Sequence, residues 1–487
     1  MMMDKSHIGR RWGLAFLGVA LASACASPQT DGLTLRLPAV EDVALTPAPG
    51  DVRTDWWRQF EDETLNSLIG EALGHNRDLA AAEANIRAAQ ALLRTRRLDR
   101  QPITTTTANG QAARDPFPGG RADSSDIEGS FNGGIGASWE WDAFGRLAAQ
   151  IKAARFDAEA ARQTRRDVAV TVAADTALAY ADFRGAQRRL AVARSNADAQ
   201  RQTRDLLQTL FENGRATELD VTRAEAQFRT TAAGIPIQKQ AAENAISRLA
   251  ALTGQSAFDL ENSTLTATEV SGSIPALSGP LIGGDLAKMV ERRPDVREAE
   301  ARLARALALS DAARANLFPT VTFNADVTSF INENTQFEDE DYLGFSVGPA
   351  IRWAGPDLRR ERLAITIADA EAEAAMRNYE QAVIRALSEV DIALTNYARE
   401  RERREDLVAA AQSAARALEL AQLRFEEGLD DFLDVLDSQR TLLVAEDQLA
   451  ASRLQAARNT ITVYRTLGGM LTDNDLTKAS TWEGKTP

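Results

Sequence analysis

The sequence is written twice. Asn76-Arg77-Asp78-Leu79 opens a helical stretch that carries Glu83, Ile86 and Ala89 and closes at Pro102. Arg293-Pro294-Asp295-Val296 opens a matching stretch 217 residues later, with Glu300, Leu303 and Ala306, closing at Pro319. Further on, Phe211-Glu212-Asn213-Gly214 with Leu219-Asp220-Val221 recurs 214 residues later as Phe425-Glu426-Glu427-Gly428 with Leu433-Asp434-Val435. Such a duplication makes one architectural unit carry half the fold. Function must then follow from what several copies of the unit enclose.

The composition removes several classes of function. With 487 residues and a net charge of −14, the chain offers no basic surface for a nucleic-acid partner. One cysteine and two histidines, His7 and His75, cannot build a disulfide framework, a zinc site or a histidine-based catalytic constellation. There is no nucleophile motif, phosphate loop or metal-ligand spacing, so neither an enzyme nor a cofactor is expected.

The N-terminus is an export signal by pattern. Lys5, Arg10 and Arg11 precede a short apolar run from Trp12 to Leu21, then Ala22-Ser23-Ala24. Residues 1–24 are read as the signal peptide. Cys25 stands where a bacterial lipoprotein signal places its lipidated cysteine, and multiple acylation there would anchor the chain firmly to outer-membrane lipid. Plain signal-peptidase cleavage is the alternative, since Ala22-Ser23-Ala24 satisfies that too.

The segmentation that follows is an N-terminal extended segment (25–58), a first repeat (59–254), a linker (255–284), a second repeat (285–468) and a polar tail (469–487). Leu65, Leu68, Ile69, Ala72 and Leu73 share one helical face. Beyond Asp78 the spacing becomes a heptad, Leu79/Ile86/Leu93 with Ala82/Ala89, echoed by Val296/Leu303/Ser310 with Ala299/Ala306/Ala313. Small residues on these seams predict close helix packing. Two long helical runs, about Arg146–Phe211 and Leu358–Phe425, reach roughly 100 Å each at 1.5 Å per residue. The shorter helices, about Leu65–Leu98 and Thr217–Leu252, sum to nearly that length and are expected to stack end to end beside a long one.

Between these helices the period changes to two. Phe131, Gly133, Ile135, Ala137, Trp139 and Trp141 alternate with polar or small residues, as do Val321, Phe323, Ala325 and Val327. Leu343, Phe345, Val347, Pro349, Ile351 and Trp353 repeat the pattern. One greasy face ending in aromatics is the signature of a membrane β-barrel strand, although a half-buried soluble hairpin alternates in the same way. Each copy offers two strands joined by a polar loop, 114–128 and 331–342. Four strands cannot close a membrane barrel, and open edges are not tolerated in lipid. Transmembrane strands therefore require oligomerisation.

Taken in order, these features resemble the TolC-like outer-membrane factors of tripartite efflux pumps, in particular the NodT-type lipoproteins. The resemblance rests on Trp56-Trp57 with Phe60 and Asp62, and on Trp139-Glu140-Trp141-Asp142 leading into Phe144-Gly145-Arg146. Arg293-Pro294-Asp295 with Phe318-Pro319, and Phe425 through Gly428 to Leu436-Asp437-Ser438-Gln439-Arg440, complete it. The resemblance implies a mainly α fold with a small β part: a long helical periplasmic barrel and four transmembrane strands per chain. It further implies a homotrimer with twelve strands in one barrel, and passive export with an inner-membrane RND-type transporter through a periplasmic adaptor. The adaptor is expected at the hairpin tips, at Gly214, Arg215, Gly428 and Asp430. Leu433, Asp437 and Arg440 match the family's periplasmic constriction. Asp434 shares a helical face with Asp437, so the acidic tip would form a cation-favouring ring, with Arg440 placed to pair with Asp437. Glu426 and Glu427 read instead as a solvated face. The sequence departs from the family at Ala354-Gly355-Pro356-Asp357, where the strand-to-helix turn differs from that of the first copy. Type I protein secretion would use the same tube. A periplasmic coiled-coil scaffold without membrane strands is the alternative of another class, and the aromatic-ended alternation argues against it.

Overall fold

The computed structural model describes residues 46–47, 55–113, 128–261, 274–277, 282–283, 286–332, 343–429 and 431–469. The expected signal peptide (1–24), Cys25, Asp430, residues 114–127 and 333–342 of the strand-connecting loops, and residues 470–487 of the tail lie outside the described residues. The elements run β1 (Thr46–Pro47), a 3-10 turn (Trp56–Phe60), α1 (Glu63–His75), α2 (Arg77–Leu98), β2 (Ile103–Ala113), β3 (Glu128–Trp141), α3 (Arg146–Glu212) and α4 (Glu218–Thr253). There follow α5 (Ala257–Leu260), β4 (Ile282–Gly283), α6 (Leu286–Arg292), α7 (Pro294–Ala315), β5 (Thr320–Asn332), β6 (Leu343–Arg352), α8 (Arg359–Glu426) and α9 (Phe432–Thr466).

The two long helices, α3 with 67 residues and α8 with 68, are continuous. The helix expected over about 65–98 is two helices, because Asn76 is extended (φ −61°, ψ 131°). Its side-chain oxygen accepts from the amides of Asp78 (3.0 Å) and Leu79 (3.2 Å), starting α2 with an N-cap. The Asn76 amide nitrogen also donates to the Leu252 carbonyl at the end of α4 (3.1 Å), so α2 and α4 meet end to end on α3. In the second copy Arg293 is extended before Pro294, as a residue preceding proline is biased to be. Its guanidinium donates to the Thr466 carbonyl at the end of α9 (2.8 Å), so α7 and α9 meet end to end in the same way. Both sequence offsets thus appear as one repeated contact, made by an amide in the first copy and a guanidinium in the second.

Packing arranges these helices as a wall with two edges. Near the strands the lateral order is α2-α3-α7-α8, and at the far end it is α4-α3-α9-α8. The central helix α3 buries a run of alanines, including Ala169, Ala173, Ala174, Ala177 and Ala181, which lets its neighbours approach closely. The two helices are consequently buried unequally, although on the seams themselves Leu303 is half-buried like Ile86. In α7, flanked by α3 and α8, Val296, Ala301, Ala306, Ala308, Ser310, Ala312 and Ala315 are all buried. In α2, which has α3 on one flank only, Leu79 and Ala82 are buried while Ile86 and Leu93 stay half-buried. At the other edge α8 leaves Leu363, Ile367, Ile384 and Ile392 exposed.

The strands form one antiparallel sheet of order β2-β3-β5-β6. Both β2 and β6 have an unpaired side among the described residues. A separate two-residue parallel pairing joins β1 and β4. The main core lies midway along α3. Trp56 stacks on Tyr464 (5.3 Å between rings), Tyr464 donates to Gln59 Oε1 (3.0 Å), and Tyr180 donates to Asp62 Oδ2 (2.8 Å). The segment before α1 is thereby pinned to both α3 and α9.

Candidate functional site

The sheet separates two environments. Register places Ile135, Val327 and Phe345 in one row, and Trp139 beside Phe323 with rings stacked at 5.7 Å. Phe345 is 83% exposed, Val347 78% and Ile351 71%. A continuous apolar face of that exposure marks a surface built to meet lipid or another chain. The opposite face carries Thr105, Thr107, Asn109, Ser130, Asn132, Ser138, Asn324, Thr328 and Ser346. Strands of 10 to 14 residues are long enough to cross a bilayer. No described helix is long and apolar enough to do so.

The strand ends are anchored alike in both copies. The Trp139 indole donates to the Arg100 carbonyl and the Trp353 indole to the Leu317 carbonyl, each at 3.0 Å. An indole that keeps one apolar face and satisfies its N–H suits a membrane–water boundary. Phe144 and Phe318 stack at 4.8 Å beside them. The strand-to-helix turns differ, as the sequences do. In the first copy Asp142 accepts from the Leu147 and Ala148 amides, and Glu140 holds Arg146 through both oxygens (2.8 and 2.7 Å). In the second, Asp357 pairs with Arg359 (2.9 Å).

At the far end of the wall each long helix turns back at a glycine in the left-handed region, Gly214 (φ 73°) and Gly428 (φ 70°). Each turn closes with paired bonds, Gly214 N to Phe211 O and Arg215 N to Leu210 O, then Gly428 N to Phe425 O and Leu429 N to Arg424 O. This is the Schellman arrangement. The returning helices start differently. Thr217 and Asp220 form a reciprocal capping box on α4, whereas Asp431 at the start of α9 makes no side-chain cap. Hydrogen bonding from Thr217 holds the Asp220 carboxyl below its usual range. Asp220 is therefore committed to its own helix.

On α9, Phe432, Val435 and Gln439 point into the chain, where Phe432 and Val435 join Leu207, Ala224 and Ala421 in a small second core. Leu433, Asp434, Asp437 and Arg440 occupy the opposite, exposed face. The structure thus brings the four candidate entrance residues together on one helical surface. Asp437 and Arg440 do not pair within the chain, so the expected ion pair between them is not formed here. Gly214, Arg215 and Gly428 sit at the exposed turns.

Reading the sequence missed the groups that hold this surface in place. Arg189 grips Asp447 through both oxygens (2.8 and 2.9 Å), Asn196 donates to Glu446 (3.1 Å), and Gln439 donates to Thr203 (2.9 Å). Higher up, Asp182 accepts from both Arg458 of α9 (2.7 Å) and Arg248 of α4 (3.2 Å). All but the Arg248 contact, which ties α4 to α3, brace α9 against α3. Their partners are far apart in sequence, and no local pattern reveals them. Near the junction of α7 and α9, Arg293 also pairs with Asp295 (2.8 Å) and Glu389 (2.6 Å). Burial, reinforced by the charges of Asp295 and Glu298, pushes the nearby Asp167 carboxyl up to about 6.

A family model described as "Outer membrane efflux protein" matches this chain twice, over residues 68–255 and 286–469. The toluene efflux pump outer membrane protein TtgF of Pseudomonas putida is 28% identical over 429 residues, covering 86% of this chain and 86% of that protein. Nodulation protein T of Rhizobium leguminosarum bv. viciae is 26% identical over 454 residues, covering 92% of this chain and 91% of its own. The solved outer-membrane channel OprN matches with a TM-score of 0.80 at 35% identity, over 87% of this chain and 94% of that one. With both repeats matched and the architecture shared, the chain belongs to the outer membrane efflux protein family.

Proposed function

We propose that this chain is the exit duct of a tripartite efflux system. Three copies close twelve strands into one barrel across the outer membrane, and their helices continue it as a tube into the periplasm. The observation that carries this reading is the shared position of the edges. The sheet is open at β2 and β6, and the helical wall is open at α2 and α8. An apolar outer face and a polar inner face then fit a lipid-embedded wall around water. Acylated Cys25 anchors the assembly to outer-membrane lipid. A periplasmic adaptor docks at the turns around Gly214, Arg215, Gly428 and Asp430 and couples the duct to an inner-membrane RND-type transporter, which supplies the energy. The duct performs no chemistry. Small-molecule export fits better than protein secretion, because relatives such as TtgF are named as parts of efflux pumps.

In the trimer Leu433, Asp434, Asp437 and Arg440 face the axis and narrow the entrance. Opening requires α9 to move away from α3, which breaks the Arg189–Asp447, Asn196–Glu446 and Gln439–Thr203 contacts. The test is single-channel recording of purified protein in planar bilayers, together with its mass in detergent. A conducting trimer is expected, and replacing Asp437 and Arg440 by Ala should raise its conductance. A non-conducting monomer overturns the duct. Unchanged conductance in the double variant overturns the entrance assignment.

A further inference from the structure

We infer that Asp326 sets the charge preference of the channel within the membrane, separately from the acidic surface at the far tip; the inference rests on the trimeric duct proposed above. Asp326 lies at the centre of β5, six residues from either end of the strand. Register places it on the polar face, in a row that reads Thr105, Gly136, Asp326, Ser346 across the four strands. The flanking rows read Ile103, Ser138, Asn324, Gly348 on one side and Thr107, Gly134, Thr328, Gly344 on the other. Asp326 is the single ionisable residue in these three rows.

Its side chain lies across the bare backbone of β3. A Cβ at Gly136 would sit 2.5 Å from Asp326 Oδ1 and 3.4 Å from Thr105 Oγ1. Glycine at that position lets the carboxylate lie against the wall, so charge is placed at the lumen without a bulky group narrowing it. Among the described residues no hydrogen bond or ion pair engages the Asp326 carboxylate.

The nearest charges on the same face are remote or already matched. Arg352 pairs in register with Thr320, six residues along β5, or about 20 Å at the rise of an antiparallel strand. Glu140 stands in the row of Thr322, about 14 Å away, and is neutralised by Arg146. Both separations exceed the Debye length of about 8 Å at physiological ionic strength. Three copies would encircle the lumen with three uncompensated carboxylates at one level. A ring of one sign inside a low-dielectric wall concentrates cations and depletes anions.

The test is the reversal potential of the full-length protein in planar bilayers under a KCl gradient. Wild type is compared with the near-isosteric Asp326→Asn and with Asp326→Lys, each also in a background carrying Asp434→Asn and Asp437→Asn. Asp326→Asn should lower the cation-over-anion permeability ratio by about threefold or more, and Asp326→Lys should lower it further, in both backgrounds. If Asn disturbs the strand, Asp326→Thr, matching Thr322 and Thr328, gives the same comparison. Conducting channels whose reversal potential ignores all three exchanges overturn the assignment to Asp326. Failure of the wild-type protein to conduct overturns the duct itself and is thereby distinguished.

Discussion

Replacing Asp167 with Asn should stabilise the protein at alkaline pH and have no effect in acid. Asp167 lies on α3 where α7 and α9 meet it. Its carboxyl is pushed up to about 6 from an ordinary 3.8 by burial first, then by the charges of Asp295 and Glu298, against the opposing pull of Arg293 and Arg465. Between pH 3.8 and 6 the folded state holds more protons at this group than the unfolded state, so stability falls as pH rises through that window. At most this corresponds to about 3 kcal/mol per chain above pH 7, at 1.36 kcal/mol for each pKa unit. Asp167 is only half-buried, and solvent screening reduces the effect to about 1–2 kcal/mol. Asn keeps the shape and removes the charge. Thermal unfolding in detergent, followed by circular dichroism from pH 4.5 to 8.5, should show the variant above wild type at pH 8. The gap should have narrowed to about a third of that size by pH 4.5 and close only below the unfolded pKa of 3.8. A gap of constant size, or a variant less stable at pH 8, would refute the assignment of this carboxyl as a buried, disfavoured charge.

Two further outcomes follow from the packing of α3 and α9 and from the helix junctions. A Cβ at Gly185 would sit 2.6 Å from Leu454 Cδ2 and 3.0 Å from its Cγ. Gly185→Ala should therefore destabilise by about 1–3 kcal/mol, and Leu454→Ala in the same chain should recover much of that loss, as read by a double-mutant cycle of unfolding midpoints. Asn76→Ala removes the N-cap of α2 and the bond to the Leu252 carbonyl, at a cost of about 1–2 kcal/mol. Hydrogen exchange should accelerate at Asp78 and Leu79 before it does in the middle of α3.

Much of this architecture was readable because the duplication is carried by residues with mechanical roles. The 217-residue spacing joins Asn76 to Arg293 and Arg100 to Leu317; the 214-residue spacing joins Leu252 to Thr466 and Trp139 to Trp353. Each pair makes the same contact in its own copy. The strands β3, β5 and β6 announced themselves by alternation, since a membrane strand must show lipid one face and water the other. Strand β2 did not. Its lipid-side row is Thr104, Thr106, Ala108, Gly110 and Ala112, too small to mark a face, and only pairing with β3 defines it. The exposed stripe of Leu433, Asp434, Asp437 and Arg440 was legible because it depends on helical period alone. The braces behind it were not, because Arg189 meets Asp447 only once four helices are packed.

The two end-to-end junctions have unlike chemistry, and this gives the halves of each chain different tolerances. Where α2 meets α4, a neutral amide shares hydrogen bonds with backbone, and neither salt nor pH in the ordinary range acts on such a joint. Where α7 meets α9, a buried guanidinium answers to Asp295 and Glu389 with Asp167 nearby, so protons and counterions reach its balance. The helix that carries the proposed entrance residues hangs from the second joint. A structure duplicated for symmetry thereby keeps one bearing fixed and leaves the other answerable to the composition of the surrounding solution.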